Sequence, residues 1–301
     1  MFMEDKLTIQ GRMLFPEDIT EIVTLIDENP DWSRWKLSNH LSEKWDWRNA
    51  RGQLKDMACR SLLLKLEQSG HIKLPPRRRV SPNRMNKKVI QPVLHSTNPI
   101  ECELKALRPL EIINISQTSD YKLLFDFFLF KYHYLSYKAS VGENLKYVIM
   151  DRFHRTLACV LFGASAWKVE CRDNYIGWDN EVRECNINLI TNNMRFLILP
   201  WIGVKHLASH ILAEVSRRIR SDYQNKYGHP VYLLETFVEQ EKFKGTCYRA
   251  ANWIHVGETK GRTRNDRYKK IKVPVKDVYL LPLIKNFRDY LRQHNPHHGR
   301  N

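Results

Sequence analysis

The chain has 301 residues, of which 43% are hydrophobic and 11% aromatic, so the composition excludes a disordered protein and predicts a sizeable core. The formal net charge of +16 and the pI of about 9.6 favour a polyanionic partner, nucleic acid first, although a basic surface without a dedicated ligand is the alternative. The six cysteines form no CxxC pair, no apolar run reaches the roughly 18 residues of a membrane span, and acids stand where a signal peptide would be cationic. We therefore expect reduced cysteines, no membrane partner and a cytoplasmic location.

The first predicted elements form a small helical domain. Pro16 suits the first turn of a helix that ends before Pro30. A second short helix is expected near residues 35–45, and a third over residues 48–69, where apolar residues recur at helical spacing. Residues 71–75 are expected to form a short strand or wing.

Three helices followed by a short strand are typical of winged-helix DNA-binding modules, and residues 1–76 are predicted to form one. In such a module the third helix presents polar side chains to the major groove, where cations pair with guanine edges or phosphates. The expected contacts with duplex DNA are Arg48, Arg51 and Lys55. A helical domain that docks a protein partner is the alternative.

Residues 77–98 are predicted to be a basic linker. It opens with Arg77, Arg78 and Arg79, and residues 77–89 carry six cations and no acid. A basic arm beside a DNA-reading module adds phosphate contacts or enters a minor groove, which makes binding sensitive to salt. The alternative is a tether without a ligand of its own.

Residues 99–301 are predicted to form an α/β domain with a mixed sheet, because apolar strands alternate with helices. Strands are expected at residues 110–115, 145–150, 156–166 and 278–282, helices at 119–130 and 284–292, and a helix or turn at 167–178.

The block at residues 193–264 organises this domain. Apolar strands are predicted at 194–201 and 231–238, with a helix at 205–220 between them. A crossover of this length favours parallel pairing, since antiparallel neighbours need only a short turn. The block is therefore predicted to be a βαβ unit.

Four residues are candidates for catalysis, because polar groups at strand ends are where sites on α/β sheets form. These candidates are Glu235, His133, Tyr134 and Tyr248. A carboxylate within an apolar strand is costly unless it is paired or used as a base. For Glu235 the alternatives are a buried ion pair with an arginine such as Arg195 or Arg249, or an outward-facing position; for His133 and Tyr134 the alternative is a structural role.

The basic stretch at residues 261–272 is interpreted as a second DNA contact. Its expected contacts, with the residue just before it, are Lys260, Arg262, Arg264 and Arg267. Glu258 and Lys260 also form a Glu-x-Lys pair, which metal-dependent nucleases use, but the pair is too short to be specific. No metal site is assigned, because HLASH lacks the glutamate that follows the first histidine of a metalloprotease motif.

The second domain resembles the GCN5-related acyltransferase fold. The segments that carry this resemblance are MRFLILPW, IGVKHLASHILAEVSRRI, VYLLETFV and FKGTCYRAANWIHVG. The family's glycine-rich turn would hold the coenzyme A pyrophosphate at a helix N-terminus. Leu207 stands where that turn calls for glycine, so the cofactor stays unknown and acyl-CoA-dependent transfer is the alternative function, with a metal-dependent nuclease third.

Longer segments resemble the DruA family of the Druantia anti-phage defence system. These segments are RGQLKDMACRSLLLKLEQSGHIKLPPRR, FKYHYLSYKASVGENLKYVI, ASAWKVECRDNYIGW, NNMRFLILPWIGVKHLASHIL and LLETFVEQEKFKGTCYRAANWIHVGETKGRTR. The resemblance implies a prokaryotic protein tied to defence or mobile DNA, with other defence or transposition proteins as partners. Together with the charge, it leads us to expect a DNA-binding protein.

Overall fold

The computed structural model describes residues 7–9, 12–49, 52–78, 89–115, 121–137, 139–261 and 273–293. These residues fall into two compact units, one within Met1–Pro82 and the other within Asn83–Asn295. We refer to them as the N-terminal unit and the α/β unit. No helix among the described residues has both the length and the apolar character that crossing a membrane requires.

The N-terminal unit contains a β-hairpin and three helices. Its elements are β1 (Leu7–Ile9), β2 (Arg12–Leu14), α1 (Pro16–Glu28), α2 (Arg34–Lys44) and α3 (Asp56–Gln68). The first helix begins at Pro16, as predicted, and the Asp18 carboxylate accepts a hydrogen bond from the Phe15 amide at 2.8 Å. Ile22, Leu41 and Leu62 are fully buried in its core. The predicted helical character of this part of the chain is confirmed.

The third helix begins eight residues later than predicted. Arg48 lies in an isolated antiparallel bridge with Leu54, and Lys55 is the residue that precedes the helix. The backbone turns at Gly52, whose φ of +73° is incompatible with a right-handed helix. Neither cation therefore lies on the helix that was expected to present it.

The strand expected at residues 71–75 is also absent from the described residues. Pro75 and Pro76 lack the N–H groups that a ladder needs, and the Leu74 amide donates to the Glu67 carboxylate instead, at 3.2 Å.

The α/β unit is built on a seven-stranded mixed sheet. Its strands are β3 (Glu111–Asn114), β4 (Leu145–Met150), β5 (Thr156–Ala164), β6 (Ile190–Ile198), β7 (Leu233–Glu239), β8 (Ile254–Glu258) and β9 (Lys276–Pro282). They lie in the order β3-β4-β5-β6-β7-β9-β8. Only β6 and β7 run parallel among these neighbours, so the predicted mixed sheet is confirmed.

Helices cover both faces of the sheet. They are α4 (Leu104–Leu107), α5 (Lys122–Tyr132), α6 (Glu170–Ile176), α7 (Asn180–Asn186), α8 (Leu207–Tyr227), α9 (Thr246–Ala250) and α10 (Phe287–Arg292), with a 3₁₀ turn at Ile187–Leu189. Successive residues of β4 point to opposite faces: Tyr147 packs in the cluster that includes α8, and Val148 in the cluster that includes α5. The two helices therefore lie on opposite faces.

The predicted βαβ unit is present as β6, α8 and β7, but β6 begins four residues earlier than expected. The predicted strand left out Thr191, Asn192 and Asn193, which are polar. Two of these three are buried and hydrogen-bonded: the Thr191 hydroxyl donates to Gly163 O at 2.9 Å, and the Asn193 amide to Leu161 O at 3.2 Å.

The two parallel strands part soon after they meet. Pairing between β6 and β7 ends at Asn192 and Glu235, although the strands continue to Ile198 and Glu239. On its other side β6 has a register shift against β5 between Asn193 and Arg195, which leaves Met194 without a paired residue. The sheet therefore opens into a cleft beyond Asn192.

Candidate functional site

The cleft between β6 and β7 has a volume of about 550 Å³, which is the size of a small-molecule site. Its walls come from both strands, from the end of α5 and from the segment that leads into α9. The polar side chains among its lining residues include Tyr132, His133, Tyr134, Asn192, Asn193, Arg195, Thr236, Lys244, Thr246, Tyr248 and Lys276.

The charged side chains of this lining are all cationic. They belong to Arg195, Lys244 and Lys276, and no Asp or Glu is among the described residues that line the cleft. Glu239, at the end of β7, is 4% exposed and its carboxylate pairs with Lys242 at 2.8 Å. The cleft is therefore suited to an anionic ligand.

His133 follows α5 and lies in the cleft wall as a neutral imidazole. Burial, together with the nearby charge of Arg195, lowers the pKa of His133 to about 4. The Leu135 amide donates to His133 Nδ1 at 3.2 Å, so the ring proton is on Nε2. At neutral pH His133 therefore offers one uncharged N–H donor.

Tyr248 belongs to a buried hydrogen-bond network under the cleft. Its hydroxyl donates to Asn193 Oδ1 at 2.7 Å, and the Thr236 hydroxyl donates to the backbone oxygen of Asn193 at 3.2 Å. Burial raises the pKa of Tyr248, so the hydroxyl stays protonated. The network fixes the position of Asn193 beside the register shift.

Unpaired polar groups also face the cleft. Asn192 Oδ1 is buried and has no hydrogen-bond partner among the described residues. The Leu199 amide donates to Leu157 of β5 at 3.0 Å, so by alternation the amides of Phe196 and Ile198 point away from β5 and towards β7. These groups can bind a ligand with both donors and acceptors.

The mouth of the cleft carries two exposed aromatic rings. Tyr134 is 43% exposed and Phe243 is 47% exposed, and their ring centroids lie 5.1 Å apart at 61°. Tyr134 also stacks on His133 at 4.9 Å, and the Lys242 ammonium lies 4.9 Å from the centre of the Tyr134 ring.

Glu235 does not line the cleft. Its side chain is fully buried and pairs with Arg172 at 2.9 Å, and it also accepts from the Ala166 amide at 2.9 Å. Burial raises the pKa of Glu235 while Arg172 opposes that shift. The sequence analysis gave a buried ion pair as one alternative to a catalytic role for Glu235. The structure shows such an ion pair, and its arginine is Arg172 rather than Arg195 or Arg249. His133, Tyr134 and Tyr248 are brought together in the cleft.

The turn before α8 differs from a pyrophosphate site. Leu207, which replaces the expected glycine, is buried in the core at 1% exposure. A Cβ at Gly203 would meet the Glu101 side chain at 3.2 Å, so a carboxylate lies against this turn. A carboxylate there disfavours a bound phosphate.

The expected DNA contacts occupy different surroundings. Arg48 pairs with Asp46 at 2.6 Å, Arg78 donates to the backbone oxygen of Asp31, and Lys260 pairs with the Glu170 carboxylate. Lys55 and Arg77 lie outside helices, in the N-terminal unit. Arg51, Arg79, Arg262, Arg264 and Arg267 lie outside the described residues.

The sequence reasoning missed Asn192, Lys244 and Lys276 as parts of a site. A signal existed for the first, because two adjacent asparagines are unusual in a buried strand. Nothing in the sequence placed Lys276 of β9 in the cleft between β6 and β7. In the described part of the chain no group of three or more His, Cys, Asp or Glu side chains is arranged to hold a metal ion.

The chain is similar to solved acetyltransferase structures, and no curated protein matches it. Two structures of spermidine N-acetyltransferase from Vibrio cholerae match at 10% identity. The first match covers 46% of this chain and 65% of that chain, with a TM-score of 0.30. The second covers 58% of this chain and 92% of that chain, with a TM-score of 0.36. A protein from Klebsiella pneumoniae described as an acyl-CoA N-acyltransferase matches at 10% identity over 58% and 99%, with a TM-score of 0.37. The expected kind of relative is thus found, and at these scores it carries no conclusion about activity.

A protein family also matches the chain directly. Residues 65–272 match the family described as Druantia protein DruA, which suggests a role in anti-phage defence. The match covers more than half of the chain, from the end of α3 to beyond β8. The chain therefore belongs to the DruA family, as its sequence segments indicated.

Proposed function

We propose that this protein binds duplex DNA in anti-phage defence and that its α/β part carries the larger share of the binding. The observation that supports this most is the distribution of charge. Residues 1–78 contain 13 Lys and Arg and 12 Asp and Glu, whereas residues 79–301 contain 36 and 21. Residues 1–78 are therefore nearly balanced in charge, and the excess positive charge belongs to the rest of the chain.

Much of this excess is concentrated in short stretches of the sequence. Residues 262–272 hold six cations and one acid, and residues 79–88 hold four cations and no acid. Among them are Arg79, Arg262, Arg264 and Arg267, which we propose as phosphate contacts. Proteins of the same defence system or of transposition are the proposed partners.

Two triple variants with equal charge removal test this proposal. One replaces Arg262, Arg264 and Arg267 with Gln, and the other replaces Arg48, Arg51 and Lys55 with Gln. We expect the first to weaken duplex binding about tenfold or more at 150 mM salt and to reduce the slope of log K against log [salt] by up to about 3. The second should change the affinity and the slope much less, because residues 1–78 are nearly neutral. Fluorescence anisotropy on a labelled duplex measures both.

The same titration contains the outcome that opposes the proposal. If duplex affinity of the unmodified protein does not fall with salt, or if neither triple variant changes it, DNA is not the partner. A larger effect of the Arg48, Arg51 and Lys55 triple would return the binding to the predicted winged-helix contacts.

Acyl transfer is a second candidate, favoured by the neutral imidazole of His133 in a cleft that also contains Tyr248. A neutral imidazole with its proton on Nε2 can donate a hydrogen bond to the carbonyl oxygen of an acyl group. The molecule that receives the acyl group would not be a polyamine such as the spermidine of the similar acetyltransferases, because the charged side chains that line the cleft are cationic. Saturable binding of acetyl-coenzyme A, measured calorimetrically and weakened by Tyr248→Phe, would support this candidate.

A further inference from the structure

We propose that the cleft between β6 and β7 binds one nucleotide of a single-stranded nucleic acid, with its base against Tyr134 and Phe243 and its phosphate at Lys244 and Lys276. This inference rests on the proposed nucleic-acid binding and adds a site and a strand form to it. It uses residues other than those of the basic stretch at residues 262–272.

Charge is the first reason. Lys244 and Lys276 line the cleft with Arg195, and the only charges in the described lining are positive. Glu239 nearby is already neutralised by Lys242. A ligand with one or two negative charges is therefore attracted, whereas a cationic ligand is repelled.

The aromatic mouth is the second reason. Two large rings that lie 5.1 Å apart are each more than two-fifths exposed, although burial of such rings is favourable. Proteins that bind single strands combine a positive groove with aromatic rings on which bases stack. Lys242, whose ammonium lies 4.9 Å from the centre of the Tyr134 ring, is exposed, so a base can stack beside it.

Size and hydrogen bonding are the third reason. A volume of about 550 Å³ suits one nucleotide and is too small for a duplex. The cleft offers an acceptor at Asn192 Oδ1 and donors at His133 Nε2 and on the free edge of β6. The edge of a base carries both donors and acceptors, so it can satisfy both kinds of group.

Phe243→Ala provides the central test, with Phe153→Ala as the matched control. Phe153 is also an exposed phenylalanine, at 62%, but it lies in the turn between β4 and β5 and does not line the cleft. We expect Phe243→Ala to weaken binding of a labelled 12-nucleotide single strand by about fivefold or more, Phe243→Trp to restore it, and Phe153→Ala to leave it unchanged. Lys244→Gln with Lys276→Gln should weaken binding and reduce its salt dependence.

Parallel titrations separate this inference from the proposed function. Duplex binding that persists in Phe243→Ala and is lost in the Arg262, Arg264 and Arg267 triple supports both proposals. Single-strand binding that is absent, or equal in Phe243→Ala and the unmodified protein, overturns the inference while leaving duplex binding to be judged separately. A free mononucleotide, dAMP, that binds as tightly as the strand overturns the assignment to a strand, and acetyl-coenzyme A that binds in the cleft more tightly than dAMP overturns the nucleotide assignment.

Discussion

At the scale of single residues, the pair Arg172 and Glu235 shows how a polar side chain is accommodated inside a strand. Both side chains are fully buried, and Arg172 also donates to Asp173 Oδ1 at 2.7 Å and to Ala166 O at 2.7 Å. The arginine thus joins α6 to β7. Such a network stabilises only while every member keeps its partner.

Glu235→Ala is expected to destabilise the protein by about 3 kcal/mol, because it leaves the buried guanidinium of Arg172 without one of its two carboxylates. Glu235→Gln should cost less, since the amide oxygen can still accept from one of the two donors, Arg172 or the Ala166 amide. Urea unfolding of both variants measures the difference, with Glu258→Ala at an exposed position as the control. Equal stability of Glu235→Ala and the unmodified protein would contradict the ion-pair role.

His133 predicts a pH dependence of stability. Its pKa of about 4 in the folded protein lies below the ordinary value of 6.5, so between these values the unfolded chain binds more protons. The contribution of His133 to the free energy of unfolding is fully present above pH 6.5 and is lost as the pH falls towards 4. The loss is on the order of 2 kcal/mol, after allowing for the partial exposure of the ring.

Unfolding by urea at several pH values between 4 and 7 tests this dependence. His133→Gln should lose less stability over that interval than the unmodified protein, because the groups common to both titrate alike. If the two proteins lose stability in parallel, His133 is not held neutral by its surroundings.

At the scale of elements, the short helix α9 depends on the glycine that precedes it. Gly245 has a φ of +65°, and a Cβ there would lie 2.5 Å from the Tyr279 hydroxyl oxygen. Gly228 after α8 has a similar φ of +77°, but no atom lies within 4 Å of its added Cβ. The two positions therefore separate backbone strain from a side-chain clash.

Gly245→Ala is expected to cost about 3 kcal/mol, and Gly228→Ala about 1 kcal/mol, because only the first adds a clash to the left-handed backbone. Thermal unfolding of both variants checks the order. Since Gly245 and Lys244 line the cleft, Gly245→Ala should also weaken binding there. Equal losses would mean that Tyr279 moves aside without cost.

Most elements could be predicted from the sequence because their patterns are local. The strand at residues 145–150 has the predicted bounds, and α1 begins at the predicted proline. Patterns failed where tertiary contacts override propensity: buried hydrogen bonds make a strand of Thr191 to Asn193, and Gly52 separates Arg48 from a helix whose apolar spacing seemed to include it. The hairpin of β1 and β2 and the helices α4 and α7 had no clear signal.

The candidate site was only partly predictable. His133, Tyr134 and Tyr248 were identified as polar or aromatic residues at strand ends, and all three line the cleft. Lys244 and Lys276 are 32 residues apart in the sequence, and both line the cleft because β9 inserts between β7 and β8. Such a strand order depends on long-range pairing, which no local pattern encodes.

At the scale of the whole molecule, total charge and its location carry different information. The net charge of +16 favours nucleic acid as the partner, whereas the pattern of three helices predicted that the N-terminal unit binds it. The near balance of charges in residues 1–78 separates these two expectations. Electrostatic attraction follows the uneven distribution of charge, so the more basic part of the chain determines the encounter with a polyanion.

The short parallel contact between β6 and β7 also has a mechanical meaning. In the backbone ladder of the described residues, only Ile190, Thr191 and Asn192 pair the four strands on one side of the sheet with the three on the other, and the Thr236 hydroxyl adds one hydrogen bond to Asn193 O. The sheet therefore consists of two groups of strands with a short parallel contact between them, and a ligand in the cleft would lie between the unpaired edges of β6 and β7. A ligand that hydrogen-bonds to the edges of both β6 and β7 links the two groups of strands beyond Asn192. Its binding therefore stiffens the sheet across its whole width.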